Sequence, residues 1–259
     1  MEYWVAPCLT DGLGNRLFQL ACAKAYSEKY KKKLVFLLAK CGKTGHGKFE
    51  NIFNLFPDIP ILEYATSWTE LVEKPNRHYV YQELSNASGN ILTCGYRQCY
   101  NYFSNTTLKP NFDNCITKER LDYLQKKYMK PNLFFIHIRL GDFLLLPHHQ
   151  INIQKYYSNA LSKIPPNTTP LVFTDDIEGM KRFFVLPYDI CEETDEIETL
   201  YLMSLCMGGI CANSTFSYWG AYFAKQNNPE FIGYYPNSLG QGLPYPQDYY
   251  PPWSIKLEA

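Results

Sequence analysis

Asn132-Leu133-Phe134-Phe135-Ile136-His137-Ile138, followed at once by Arg139-Leu140-Gly141-Asp142-Phe143, is the stretch whose reading decides the fold. Residues 132–138 form a short apolar run with no polar alternation. Such a run is a strand covered on both faces, as in parallel sheets. Downstream the pattern continues with an amphipathic helix over 153–164, a strand over 170–174 and a short helix over 177–184. A helix over 193–206, a strand over 208–212, a helix over 213–225 and a strand over 230–234 complete it. Upstream, a strand over 2–9, a helix from Asn15 to about Tyr30 and a strand over 33–38 make a βαβ unit. Residues 91–103 read as a strand running into an aromatic turn, and 113–128 as a helix that Met129-Lys130-Pro131 breaks. The predicted class is α/β, with two Rossmann-like domains facing a cleft, 1–129 and 130–259. The tail from Pro236 is expected to wrap the surface without regular structure.

Composition agrees with a folded enzyme-sized chain. The 259 residues are 46% hydrophobic and 19% charged, which excludes a disordered polymer. Lys plus Arg and Asp plus Glu both number 25, and the net charge of zero argues against a nucleic-acid partner. The 22 tyrosines combine an apolar face with a polar tip and suit sugar contacts. The 9 cysteines lack CxxC spacing and read as reduced, mostly buried thiols. No segment has the ~20 apolar residues of a membrane span, and the N-terminus lacks a secretory signal pattern. The chain therefore reads as soluble and cytoplasmic, as would the catalytic portion of a longer protein. Gly42, Gly45 and Gly47, with Lys40, Lys43, His46 and Lys48, form a basic loop.

Ligands of parallel α/β sheets bind at the carboxyl ends of the strands. After 138 stands Arg139, whose fork can hold a diphosphate or simply pair with Asp142. After 212 stands Asn213-Ser214-Thr215-Phe216-Ser217, a helix cap and equally an anion site lined with hydroxyls. After 174 stand Asp175 and Asp176; they can meet a purine or ribose, or Asp176 can cap the next helix. No third ligand makes them a metal site. After 9 stands Gly12-Leu13-Gly14-Asn15, where Asn15 caps the helix or reaches a substrate. His148-His149 reads as a solvated loop after Pro147.

Taken in order, these segments resemble the α-1,2-fucosyltransferase family, glycosyltransferase family 11. Gly12–Gln19 is similar to its GxGNQLFQ segment, and Gly95–Phe103 to its GYxQSEKYF strand. His137–Phe143 is similar to HxRRGD(Y/F), Phe173–Asp176 to FSDD, and Leu202–Ala221 to LMSxCxxxIxANSTFSWWGA. The sequence departs from the pattern at Arg16, Tyr100-Asn101, Leu140 and Tyr218.

The resemblance implies a two-domain GT-B arrangement, with 1–129 the acceptor-side domain and 130–259 the nucleotide-sugar-binding domain, a GDP-L-fucose donor, inversion at the anomeric carbon, and neither cofactor nor metal. It implies a glycan acceptor as second partner. By the same resemblance Arg139 contacts the diphosphate and His137 lies beside it. Ser214, Thr215 and Ser217 meet phosphate or ribose, with Asn213 and Phe216 in the same block, and Asp175 and Asp176 line the nucleotide site. Arg139, Asp142 and Asn15 are the expected catalytic residues, with Asp142 as candidate base and Asp11 second. A transferase of another activated deoxyhexose such as rhamnose, or a silent nucleotide-sugar-binding protein, fits the same motifs.

Overall fold

In a computed structural model the described residues are 2–42, 47–64, 67–75, 77, 79–243 and 245–259. Residues 43–46 of the basic loop, Lys43 and His46 among them, lie outside this set. The chain divides into two units. One is Met1–Cys115 with Gln247–Pro251, the other Ile116–Pro246 with Pro252–Ala259.

The first unit contains β1 (Trp4–Pro7), α1 (Leu13–Tyr30), β2 (Lys33–Leu34), β3 (Phe36–Leu37), α2 (Asn51–Leu55), β4 (Ile61–Leu62), β5 (Trp68–Val72) and β6 (Asn90–Cys94). Its main sheet has the order β2-β1-β6-β5, and every pairing is parallel. The strand expected over 33–38 is split. β2 pairs with β1, whereas β3 leaves that sheet and pairs with β4. α1 starts two residues before Asn15, which therefore sits in the first turn and is not the cap; Gly12 is. Cys8 and Cys94, at the ends of β1 and β6 with Cα atoms 5.0 Å apart, form a disulfide. This corrects the expectation of reduced thiols throughout, because the parallel register brings two distant cysteines side by side.

The second unit contains α3 (Lys118–Tyr128), β7 (Leu133–Ile138), α4 (Ile153–Leu161), β8 (Thr169–Thr174), α5 (Ile177–Phe183), β9 (Asp189–Ile190), α6 (Glu196–Ser204), β10 (Gly208–Ile210), α7 (Thr215–Asn227), β11 (Ile232–Pro236) and β12 (Ser254–Leu257). The sheet order is β12-β11-β10-β7-β8-β9, again parallel throughout. All of β7 is buried, as its composition requires. Phe134, Ile136, Ile138, Tyr156, Tyr157 and Val172 share one core beneath α4. The division falls before α3, not after it as the break at 129–131 suggested. The reason is ionic: Arg120 on α3 bonds Glu198 on α6 at 2.6 Å and also pairs with Glu193.

The tail differs from expectation. Tyr249 and Tyr250 are buried, and Tyr249 stacks on Phe18 at 5.6 Å in the first unit. Residues 254–257 then form the edge strand β12 in the second. Its alternation was hidden by the surrounding prolines and glycines. Among the described residues no helix is long and apolar enough to cross a membrane.

Candidate functional site

The carboxyl ends of β7, β8 and β10 lie side by side because these strands are consecutive in the second sheet. Arg139 leaves β7 there. Its guanidinium pairs with Asp142 through Nη2 and with Asp175 through Nη1, the latter at 2.7 Å. Asp175 leaves β8, and its other oxygen accepts the Leu140 N–H at 2.9 Å. One carboxylate thus fixes both the backbone and the side chain of the 139–140 turn. Gly141 permits this, since a Cβ there would meet Asp175 Oδ2 at 2.3 Å. Of the two readings of Arg139, the pairing with Asp142 is present, and its fork lies at the strand end.

His137 is the last but one residue of β7. Its carbonyl accepts the Tyr157 hydroxyl at 2.6 Å, which pins the strand end to α4. Its ring lies 5.9 Å from that of Phe216, centroid to centroid, so the HxR turn and the start of α7 meet. The Nδ1 atom is buried without a hydrogen-bond partner. Burial, reinforced by the charge of Arg139, pulls the imidazole down to about 3, so it is neutral at working pH.

This burial makes the stability of the fold depend on pH. Above about pH 6.5 the imidazole is neutral folded and unfolded, and contributes none. Below that the unfolded chain takes up a proton that the folded chain refuses. Stability should then fall by ~1.4 kcal/mol per pH unit down to about pH 3. Denaturant melts of wild type and His137→Phe between pH 7 and 4 check this; the variant should lack that part of the slope.

At α7 the cap is Ser214, which accepts the Phe216 N–H at 3.2 Å. Thr215 and Phe216 are half-buried in the first turn. Ser217 is fully buried and its hydroxyl donates to the carbonyl of Ser214 at 3.3 Å. Asn213 donates to the carbonyls of His149 at 2.7 Å and Leu239 at 3.1 Å. Those two residues therefore build the turn, while Thr215 and Phe216 present it. Asp176 caps α5, accepting the Gly179 N–H at 2.8 Å.

Sequence reading missed a ring stack. The Arg139 guanidinium lies 5.2 Å from the Phe143 ring, and Phe143 stacks on His149 at 4.3 Å. His149 is half-buried in this stack and is not a solvated loop residue. The adjacent pair 148–149 carried no periodic signal that could have revealed it.

Asn15 belongs to the first unit. Its Oδ1 accepts from Gln98 at 2.8 Å. Gln98 follows Gly95 and Arg97, whose backbone is left-handed at φ +116° and +53°; only Gly95 carries a sequence signal for such a turn. Among the described residues no three His, Cys, Asp or Glu side chains are grouped to hold a metal ion.

This α/β architecture, of GT-B type, matches solved structures. The α-1,6-fucosyltransferase NodZ of Bradyrhizobium, co-crystallised with GDP, superposes with a TM-score of 0.52 at 16% identity, covering 85% of this chain and 92% of that one. Among curated proteins, the O-antigen biosynthesis glycosyltransferase WbnK of Escherichia coli is 25% identical, over 83% of this chain and 88% of its own. An alpha-1,2-colitosyltransferase of Escherichia coli is 28% identical, over 83% and 85%. The profile of Glycosyl transferase family 11 matches residues 77–238, more than half of the chain and including the whole carboxyl edge built from β7, β8 and β10. The Arg139 turn and the Ser214-capped helix both lie within the matched stretch, and the chain belongs to glycosyl transferase family 11.

Proposed function

We propose that this glycosyltransferase moves L-fucose from GDP-β-L-fucose to a glycan hydroxyl, with inversion, forming an α-1,2 linkage. The observation that carries this reading is the convergence of Arg139, the unmet nitrogen of His137 and the start of α7 on one sheet edge. The solved likeness to a fucosyltransferase holding GDP supports the guanine nucleotide.

In the reaction the acceptor oxygen attacks the anomeric carbon as the bond to the β-phosphate oxygen breaks. The acceptor's proton passes to solvent water, and GDP departs with the electron pair of the broken bond. Arg139 and the dipole of α7 stabilise the charge that develops on the diphosphate. The reading thus calls for neither cofactor nor metal. Asp142 is the more exposed of the two carboxylates on Arg139, at 35% against 23% for Asp175. It is the contact that a phosphate displaces. Its pairing with a guanidinium makes it a holder of Arg139 more than a proton acceptor.

A second donor is favoured by one observation: a relative is named a colitosyltransferase. Wild-type protein should therefore be given GDP-fucose, GDP-colitose and a nucleotide-activated rhamnose with a glycan panel, and nucleotide release followed. GDP-fucose turnover with an α-configured product by NMR is the expected result. Turnover of only another donor would replace the sugar, and binding of no nucleotide would sink the reading.

A further inference from the structure

After the Arg139 turn the chain makes two short 3₁₀ turns, Gly141–Leu145 and Pro147–His149. Burial alone does not fix them: Leu144 packs on the core, whereas Leu145 is 81% exposed. Hydrogen bonds supply the order. The Leu144 N–H donates to the Leu140 carbonyl at 3.0 Å and the His149 N–H to the Leu146 carbonyl at 2.8 Å. Gln150 Nε2 donates to the Leu144 carbonyl at 2.9 Å.

His149 is where this segment meets both elements assigned to the diphosphate. Its carbonyl accepts from Asn213 at 2.7 Å, and Asn213 immediately precedes the Ser214 cap of α7. Gly240 packs so closely on the same turn that a Cβ there would collide with the His148 carbonyl. The His149 ring lies nearly parallel to that of Phe143, 4.3 Å between centroids and 9° between planes. The Arg139 guanidinium carbon stands over the same Phe143 ring at 5.2 Å. A series of contacts thus runs from backbone anchored beside α7, through two rings, to the cation at the end of β7.

This series gains importance when a donor arrives. A phosphate that takes the place of Asp142 removes one of the two carboxylates on Arg139 and leaves Asp175 and the Phe143 face. A cation over a ring and a stacked ring pair are each worth about two- to tenfold in an equilibrium. The stack also calls for a neutral imidazole. Burial above all, and then His148, hold His149 below its usual 6.5; Asp142 pulls it upward and Arg139 pushes it down. His148, Asp142 and Arg139 are the titratable groups that act on it. A protonated His149 would set a second cation against a ring that already faces Arg139.

We propose that His149 is a positioning residue of the donor site: its ring holds Phe143 where the phenyl face supports the Arg139 guanidinium once a phosphate has displaced Asp142. The inference rests on the diphosphate role of Arg139 given above and extends it to a residue that acts through another side chain.

The test is GDP affinity by NMR titration, which reads weak binding as well as tight and needs no turnover. At about pH 7.5, where His149 is neutral, His149→Ala should weaken GDP about three- to tenfold. His149→Phe, which keeps a stacking ring, should recover most of that loss. In an Arg139→Ala background His149→Ala should cost less than about twofold more, because no guanidinium is left to place. A residue that merely supports the fold would show its full effect in both backgrounds. From about pH 7.5 to about pH 5.5 wild-type affinity should fall further than that of His149→Phe, which cannot take up the proton. Protonation of GDP itself is common to both proteins. If His149→Ala does not fold, the pH comparison of wild type with His149→Phe carries the test. Unchanged affinity in His149→Ala, an equal loss with and without Arg139, or one pH profile shared by wild type and His149→Phe would each overturn the positioning role. Any of these beside a strong loss in Arg139→Ala leaves the diphosphate reading standing. No GDP binding by wild type, or affinity untouched by Arg139→Ala, would overturn both.

Discussion

Arg139→Ala should lower kcat by about 10²–10³-fold while the protein stays folded. The group removed is the cation at the end of β7, held in a fork between Asp142 and Asp175. A preformed donor aimed at developing charge is worth most in the transition state, where the diphosphate carries the departing electrons. The fold should survive because both carboxylates keep access to water, and exposed ion pairs contribute little to stability. Arg139→Lys should recover only part of the rate, since a point charge cannot reproduce the planar fork. Steady-state kinetics with saturating donor, beside calorimetry with GDP, separate the two effects. Near-normal turnover in Arg139→Ala would remove the proposed role, and a large loss of melting temperature would recast it as structural.

Glu73→Ala should destabilise the first unit by about 3–4 kcal/mol. Two N–H groups, those of Tyr96 and Arg97, lose the carboxylate that receives them, and the latter group is buried. Each orphaned group costs on the order of 1–3 kcal/mol. The left-handed backbone at Gly95 and Arg97 then has less to hold it. A fall in melting temperature of roughly 10 °C should follow. Glu73→Gln should lie between, since an amide offers one oxygen where the carboxylate offers two. Calorimetric melts of the three proteins decide the matter. Equal melting temperatures would mean that the 95–98 loop does not depend on this acceptor. GDP affinity should hardly change, because Arg139 and α7 belong to the other unit.

Much of the second unit was legible before any coordinates. The run from Leu133 to Ile138 announced a doubly covered strand, and six buried positions in a row are what the structure contains. Ser214 and Asp176 were readable as helix caps because a cap is a property of three or four consecutive residues. Less of the first unit was legible. β5 shows a mostly exposed pattern, and β3 and β4 have only two residues each, too few for any period to appear.

The amino-acid order alone determined which segments are strands with both faces covered, which residues cap α5 and α7, and which charged and hydroxyl groups stand at strand ends. Burial of one segment is written in that segment's own composition, so the two α/β halves and the family could be read directly. Tertiary structure decided the pairings between segments. That Asp175 reaches Arg139, that Glu73 receives Tyr96 and Arg97, that Cys8 meets Cys94, and that residues 254–257 close an edge all depend on strand order and register. No local periodicity carries that information, because each contact joins residues whose separation along the chain is unrelated to their distance in space.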